Sequence, residues 1–303
     1  MRLVGIDLGG TSIKAGACDE KGRVLDHRSV PTGLEDGTAA VLDRMADLAR
    51  ELGAAAGGRR KVGVGAPGLI DHAAGRVLES PNLQAMQGVS VRDELAQRLD
   101  FEPAGVILEN DANCAAYAEN WCGAGVDETD LLLVTLGTGV GGGLILHDEL
   151  YSGPGGMAGE VGHVCIDPDG PPCGCGRRGC VEQFASATAA TRRAVEAGLP
   201  REKPGDLELL SEQARAWDGP ERALLVSVGR DLGRGLGVVV CLLDLRTFVI
   251  GGGFGAATDV LEPGIREGLR DRSYGERLKS IRILPAVLGP DAGWIGAARL
   301  TAR

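Results

Sequence analysis

Leu3-Val4-Gly5-Ile6-Asp7-Leu8-Gly9-Gly10-Thr11 and Leu132-Leu133-Val134-Thr135-Leu136-Gly137-Thr138-Gly139 follow one scheme. Each is an apolar strand closed by a Gly/Thr turn, and in each case a second strand-like run returns from the turn. Repetition of this kind predicts two similar α/β lobes, each presenting one turn to the other. A chain of 303 residues is long enough for that division, since domains hold about 100–200 residues.

Working outward from the first copy, the pattern predicts strands over 3–8, 12–18 and 23–30, an antiparallel meander. A helix follows over 35–56, with Ala39, Leu42, Met45, Ala46 and Ala49 at three- and four-residue spacing. A strand over 61–66, a helix over 91–99 and a strand over 104–108 come next. The last of these runs into Glu109-Asn110-Asp111-Ala112-Asn113, where a helix over 112–122 begins. Strands over 131–136 and 142–147 form the second copy. Beyond residue 183 the chain reads as mostly helical, with a long helix over 221–243, a strand over 247–250 before Gly251-Gly252-Gly253, and a final helix over 291–300.

Composition excludes several classes of function. With 42 acidic and 32 basic residues the net charge is −10, which disfavours nucleic acid as a partner, because such binding relies on clustered Lys and Arg. The opening residues read directly as a strand, without the features of a signal peptide, and no apolar stretch reaches the ~20 residues a membrane span needs. The expectation is a cytoplasmic protein with no membrane partner. Aromatic residues make up 3% of the chain, so a sugar ligand would be held mainly by hydrogen bonds.

The two Gly/Thr turns are candidate phosphate cradles. Gly9 and Gly10 let the backbone approach a phosphate closely, Thr11 adds a hydroxyl, Lys14 lies on the returning strand, and Asp7 could hold Mg2+ through water. Taken alone, this stretch is equally an ordinary hairpin turn. Gly137, Thr138 and Gly139 form the second turn. Gly137-x-Gly139-x-x-Gly142 has the spacing of a dinucleotide fingerprint, but that site needs a helix after the glycines, and residues 143–147 are strand-like.

His163, Cys173, Cys175 and Cys180 offer an imidazole and three thiolates, a donor set for tetrahedral Zn2+. Four protein ligands leave no open position, which makes the zinc structural and weakens a zinc-dependent hydrolase reading. Cys18, Cys114, Cys122, Cys165 and Cys241 read as core residues. Glu160 and Glu182 flank the metal loop, and carboxylates with an imidazole suit a ring of sugar hydroxyls. Asp111, at a strand-to-helix crossing, reads either as a helix N-cap or as a base, since a helix N-terminus favours an ionised carboxylate.

Together these residues resemble the ROK family of the actin-like ATPase superfamily. The resemblance rests on Asp7-x-Gly9-Gly10-Thr11, Glu109-Asn110-Asp111-Ala112-Asn113, and Gly162-His163 followed by Cys173-x-Cys175-Gly176-x-x-Gly179-Cys180-x-Glu182. It implies a two-lobed, ribonuclease H-like α/β fold. The smaller lobe would span 1–110, with 291–303 returning to it, and the larger 111–290, with the zinc loop at 163–180. It implies an ATP-dependent hexose kinase, most closely a glucokinase, acting as a homodimer. Asp111 would be the general base. Asn110, Glu160, His163 and Glu182 would contact the sugar beside it, with His163 also ligating zinc through its other nitrogen. Gly9–Thr11 and Gly137–Gly139 would hold phosphates, and Gly251, Gly252 and Gly253 the nucleoside side. Alternatives are a kinase for fructose, mannose, N-acetylglucosamine or N-acetylmannosamine, and a non-catalytic sugar-sensing regulator. The DNA-binding repressors of the family carry a helix-turn-helix before the first strand, and here the strand opens the chain. Some relatives use polyphosphate; the lack of a basic run favours ATP here.

Overall fold

The computed structural model describes residues 1–55, 60–80, 83–199, 206–272 and 275–302, apart from the side chain of Arg277. Its first sheet begins with the hairpin β1 (Leu3–Leu8) and β2 (Ser12–Cys18), on the expected residues, followed by β3 (Val24–Pro31). Helix α1 (Thr38–Glu51) starts later than expected because Gly37, at φ 89°, separates it from a short 3-10 turn. Its buried face is Val41, Leu42, Met45, Ala46, Leu48 and Ala49, while Ala39 is exposed. Residue 56, the expected end of this helix, lies outside the described residues.

Strand β4 (Val62–Ala66) is followed by a hairpin that the sequence reading missed, β5 (Leu69–Asp71) and β6 (Arg76–Glu79). Helix α2 (Val91–Leu99) matches expectation, and β7 (Val106–Asn110) is displaced by two residues because Pro103–Gly105 forms a 3-10 turn. Helix α3 (Asp111–Cys122) follows without a gap. The sheet order is β3-β2-β1-β4-β7, with β1 antiparallel to β2 and parallel to β4.

Strands β8 (Leu131–Leu136), β9 (Val140–Leu146), β10 (Glu149–Leu150), β11 (Thr247–Gly251) and β12 (Arg282–Pro285) form a second sheet in the order β10-β9-β8-β11-β12. Numbered within its own sheet, each set reads third, second, first, fourth, fifth. The internal repeat seen in the sequence is therefore a repeat of topology. A strand, β9, follows Gly137–Gly139, as the argument against a dinucleotide fingerprint requires.

The remaining helices are α4 (Glu182–Ala185), α5 (Ala187–Glu196), α6 (Asp206–Ala216), α7 (Pro220–Leu243), α8 (Thr258–Arg270), α9 (Gly275–Leu278) and α10 (Ala292–Leu300). Among the described residues no helix is long and apolar enough to cross a membrane.

By packing the chain divides into two compact units, Met1–Thr129 with Gly143–Ala158 and Pro290–Arg303, and Asp130–Gly142 with Gly159–Gly289. The sequence reading drew its boundary after residue 110, whereas α3 packs in the first unit. Helix α10 lies against β1, β4 and α3 there. Close approach explains the small residues at these contacts: a Cβ on Gly63 would lie 1.8 Å from the Ala297 carbonyl, and one on Gly296 1.7 Å from that of Cys114. Alternation along β1 turns Val4, Ile6 and Leu8 into the core shared with α1 and α2. The same alternation puts Asp7 beside Gly5, on the face that meets α10.

Candidate active site

Within the first unit, the corner between β7 and α3 carries the expected base. Asn110, not Asp111, is the N-cap: its Oδ1 accepts the amide N–H groups of Ala112 and Asn113 at 2.8 and 3.1 Å. Its Nδ2 donates to the Gly68 carbonyl at 3.0 Å. Asp111 is thereby the first helical residue, and its Oδ1 also accepts from the Ala112 N–H, at 2.8 Å. Burial raises its pKa, opposed by backbone N–H donation from Ala112.

Asp7 faces the same charge. Burial, and then the nearby Asp111 carboxylate, push Asp7 up to about 7 against the opposing charge of Lys14, its cross-strand partner. A Cβ on Gly293 would come within 2.8 Å of the Asp7 carboxyl carbon, so this carboxyl group lies at the N-terminal turn of α10. A buried carboxyl group raised further by a neighbouring carboxylate makes a setting a dication would relieve, and Asp7 fits a magnesium ligand on that ground. The turn after β1 is closed by Gly9 N–H to Ser12 O at 3.0 Å and Thr32 Oγ1 to Gly9 O at 2.6 Å, leaving Thr11 exposed.

In the second unit the ligand atoms of His163, Cys173, Cys175 and Cys180 lie within 4.8 Å of one another. Cys173 Sγ is 3.7 Å from His163 Nδ1, and Cys175 Sγ is 3.6 Å from Cys180 Sγ. Zinc–sulfur bonds of about 2.3 Å in a tetrahedron give edges of about 3.8 Å, so the separations fit the metal. The loop is a knuckle: Cys173 N–H bonds Arg177 O at 2.8 Å, and Gly176 and Gly179 take φ of 82° and 68°. His163 turns Nδ1 to the thiols and Nε2 toward Glu160, 3.9 Å away.

Glu182 joins this loop to the second Gly/Thr turn. Its Oε1 accepts from Cys173 Sγ at 3.8 Å and its Oε2 from the Val140 N–H at 3.2 Å. A Cβ on Gly139 would sit 2.3 Å from that same Oε2. The turn itself is held by Gly137 N–H to Gly139 O at 3.0 Å and by Ala187 N–H, at the start of α5, to Gly137 O at 2.8 Å. After β11, Gly252 adopts φ 78°, where a Cβ would lie 2.4 Å from Leu136 O.

A model of the ROK family matches residues 3–303 of the chain. The chain belongs to the ROK family. It is 35% identical to a glucokinase from Thermotoga maritima, over 99% of this chain and 97% of that one. The solved ROK hexokinase from Thermus thermophilus superposes with a TM-score of 0.83 at 35% identity, covering 99% of this chain and 97% of the other. A ROK family glucokinase from Streptomyces griseus, solved in complex with glucose and AMPPNP, has a TM-score of 0.80 at 34% identity, with 99% of both chains covered.

Within this ROK chain four residues near Asp111 carry no role in the sequence pattern: Glu109, Asn113, Ser152 and His72. Glu109 accepts from Asn113 Nδ2, Ser152 Oγ and His72 Nε2 at 2.9, 2.9 and 3.0 Å. His72 and Ser152 are too distant in sequence to leave a local signal, and an apolar neighbourhood for Glu109 in β7 was the only clue. Of the five cysteines expected in the core, Cys18 and Cys114 are buried and Cys122 partly so, but Cys165 and Cys241 are exposed. Cys165 lies on a short bridge opposite Cys180, and Cys241 sits on the outer side of α7, its Sγ 3.0 Å from Arg272 O.

Proposed function

We propose that the chain is an ATP-dependent hexose kinase, with glucose as the acceptor, that transfers the terminal phosphoryl group to a sugar hydroxyl oriented and deprotonated by Asp111. The observation that carries this reading is the division of labour at the β7–α3 corner: Asn110 caps the helix, which frees Asp111 from being merely its cap. Phosphoryl transfer asks for positioning and charge stabilisation more than covalent chemistry, so one such carboxylate suffices as base. The relatives described above, one of them holding glucose and a nucleotide analogue, support the substrate class.

In this mechanism the carboxylate of Asp111 accepts the proton of the acceptor hydroxyl as its oxygen attacks the terminal phosphorus in line. Gly9–Thr11 and Gly137–Gly139 hold phosphate oxygens through backbone N–H groups, with Lys14 adding charge. Gly251–Gly253 accommodate the nucleoside side. Asp7 would hold a magnesium ion, which would supply charge neutralisation for the phosphates. Asn110 spends one Nδ2 hydrogen on Gly68 and has a second for the sugar. Glu160, His163 and Glu182 bind further sugar hydroxyls from the zinc-pinned loop. Eight cysteines with no disulfide among them, three of them in the metal loop, fit a cytosolic setting. A homodimer is proposed on the family resemblance.

A coupled assay across hexoses and acetylhexosamines, each with ATP and with polyphosphate, tests the reading. Glucose with ATP should give the highest kcat/KM. Transfer to an acetylhexosamine in preference would move the substrate assignment, and transfer to none of them would overturn the kinase reading.

A further inference from the structure

Glu109 is 6% exposed and stands two residues before Asp111. Its carboxylate accepts four hydrogen bonds. Oε1 takes the Asn110 N–H at 2.8 Å and Asn113 Nδ2 at 2.9 Å, and Oε2 takes Ser152 Oγ at 2.9 Å and His72 Nε2 at 3.0 Å. The donors come from three separate stretches of the first unit: the β5–β6 hairpin, the β7–α3 corner, and the segment after β10. Such a shell satisfies every lone-pair direction of an ionised carboxylate.

The arrangement is asymmetric toward Asp111. Both Oε1 bonds reach groups that bracket it in sequence, the amide of Asn110 before it and the side chain of Asn113 after it. Asn113 is itself buried and leaves its Oδ1 without a hydrogen-bond partner in order to point Nδ2 at Glu109. Both Oε2 bonds reach outward. The His72 ring packs on Gly156, where a Cβ would lie 3.3 Å from His72 Cε1. A buried ion held only for packing would be better replaced by an apolar side chain, since removing a charge from water is costly. A buried ion that fixes one backbone corner against two other segments has a different use.

We propose that Glu109 is a positioning residue for the transfer reaction, fixing the Asn110–Asp111 backbone so that the base meets the acceptor hydroxyl, and that His72 and Ser152 hold Glu109 in place. The proposal rests on the kinase reading given above. Displacement of a reacting group by about 1 Å costs on the order of 100-fold in rate, so loosening this corner acts on turnover before it acts on binding.

The test compares Glu109→Gln, His72→Gln and His72→Leu in the full-length enzyme. Glu109→Gln keeps the shape but presents an amide to two donors. It should lower kcat by about 10- to 100-fold while the KM for the hexose stays within about 2-fold. His72→Gln retains a donor toward Oε2 and should keep most of the turnover that His72→Leu loses. Wild-type kcat in Glu109→Gln, or equal loss in both His72 variants matched by a loss of folded protein, would overturn the proposal. If Glu109→Gln does not fold, the His72 pair decides. Absence of transfer by the wild-type enzyme would instead overturn the kinase reading.

Discussion

Glu182 Oε2 accepts the amide N–H of Val140 at 3.2 Å, so the cysteine loop is joined to the Gly137–Gly139 turn by one carboxylate. Cys180 of that loop stands two residues before Glu182, and its carbonyl accepts the Gln183 N–H at 2.9 Å. Metal held by the thiols therefore acts on the phosphate turn as well as on the residues proposed to meet the sugar. Replacing Cys175 by Ser should abolish stoichiometric zinc and weaken both hexose and nucleotide binding by about 10-fold or more. Metal analysis with calorimetric titration of each ligand checks this. A metal-free variant with unaltered affinities would remove the loop from the mechanism.

Asp7 carries a penalty at neutral pH. Its folded pKa is about 7, against 3.8 for an unperturbed Asp. Between these values the folded chain binds more protons than the unfolded one, so this group's contribution to stability falls as pH rises through the interval. Asp7→Asn should consequently melt higher than wild type at about pH 8 and match it near pH 4, while losing activity. Magnesium should raise the wild-type melting temperature at about pH 8 and leave that of the variant unchanged. Scanning calorimetry over pH with and without the ion gives the answer.

The His72–Glu109 pair makes the opposite kind of window. Burial alone would raise Glu109, but hydrogen bonds from His72 and Asn113 outweigh it and hold the carboxyl below its usual 4.5. The hydrogen bond to Glu109 raises His72 above 6.5 despite the opposing effect of burial. Stability from the pair is fully present between those two ordinary values. It is lost as pH falls through the depressed Glu109 value, and again as pH rises through the elevated His72 value. The melting-temperature difference between wild type and His72→Leu should be widest inside the window and shrink on both sides. A difference independent of pH would mean that the contact is packing alone.

Much of this was legible because it is local. The β1 and β2 hairpin, α2 and β8 fell on the expected residues, since apolar runs and Gly-rich turns specify them within a few positions. The metal loop was legible for the same reason: its ligands lie close together in sequence, and they do converge in space. The choice of Asn110 over Asp111 as the cap was not legible. Both residue types cap helices, and the decision depends on Gly68, 42 residues away in the chain. Nor was the shell around Glu109, whose Ser152 partner is 43 residues distant. Cys165 and Cys241 were misplaced because an apolar neighbourhood in sequence does not say which side of an element faces solvent.

The central claim is that Asp111 is the base. Its position as the first residue of α3, beside a cap supplied by Asn110, means that Asp111→Asn should preserve the helix start and the folded state. The decisive measurement is kcat for glucose phosphorylation by Asp111→Asn, alongside the glucose dissociation constant. The account predicts a fall in kcat of about 100- to 10,000-fold with glucose affinity largely retained. A kcat close to that of wild type would contradict it.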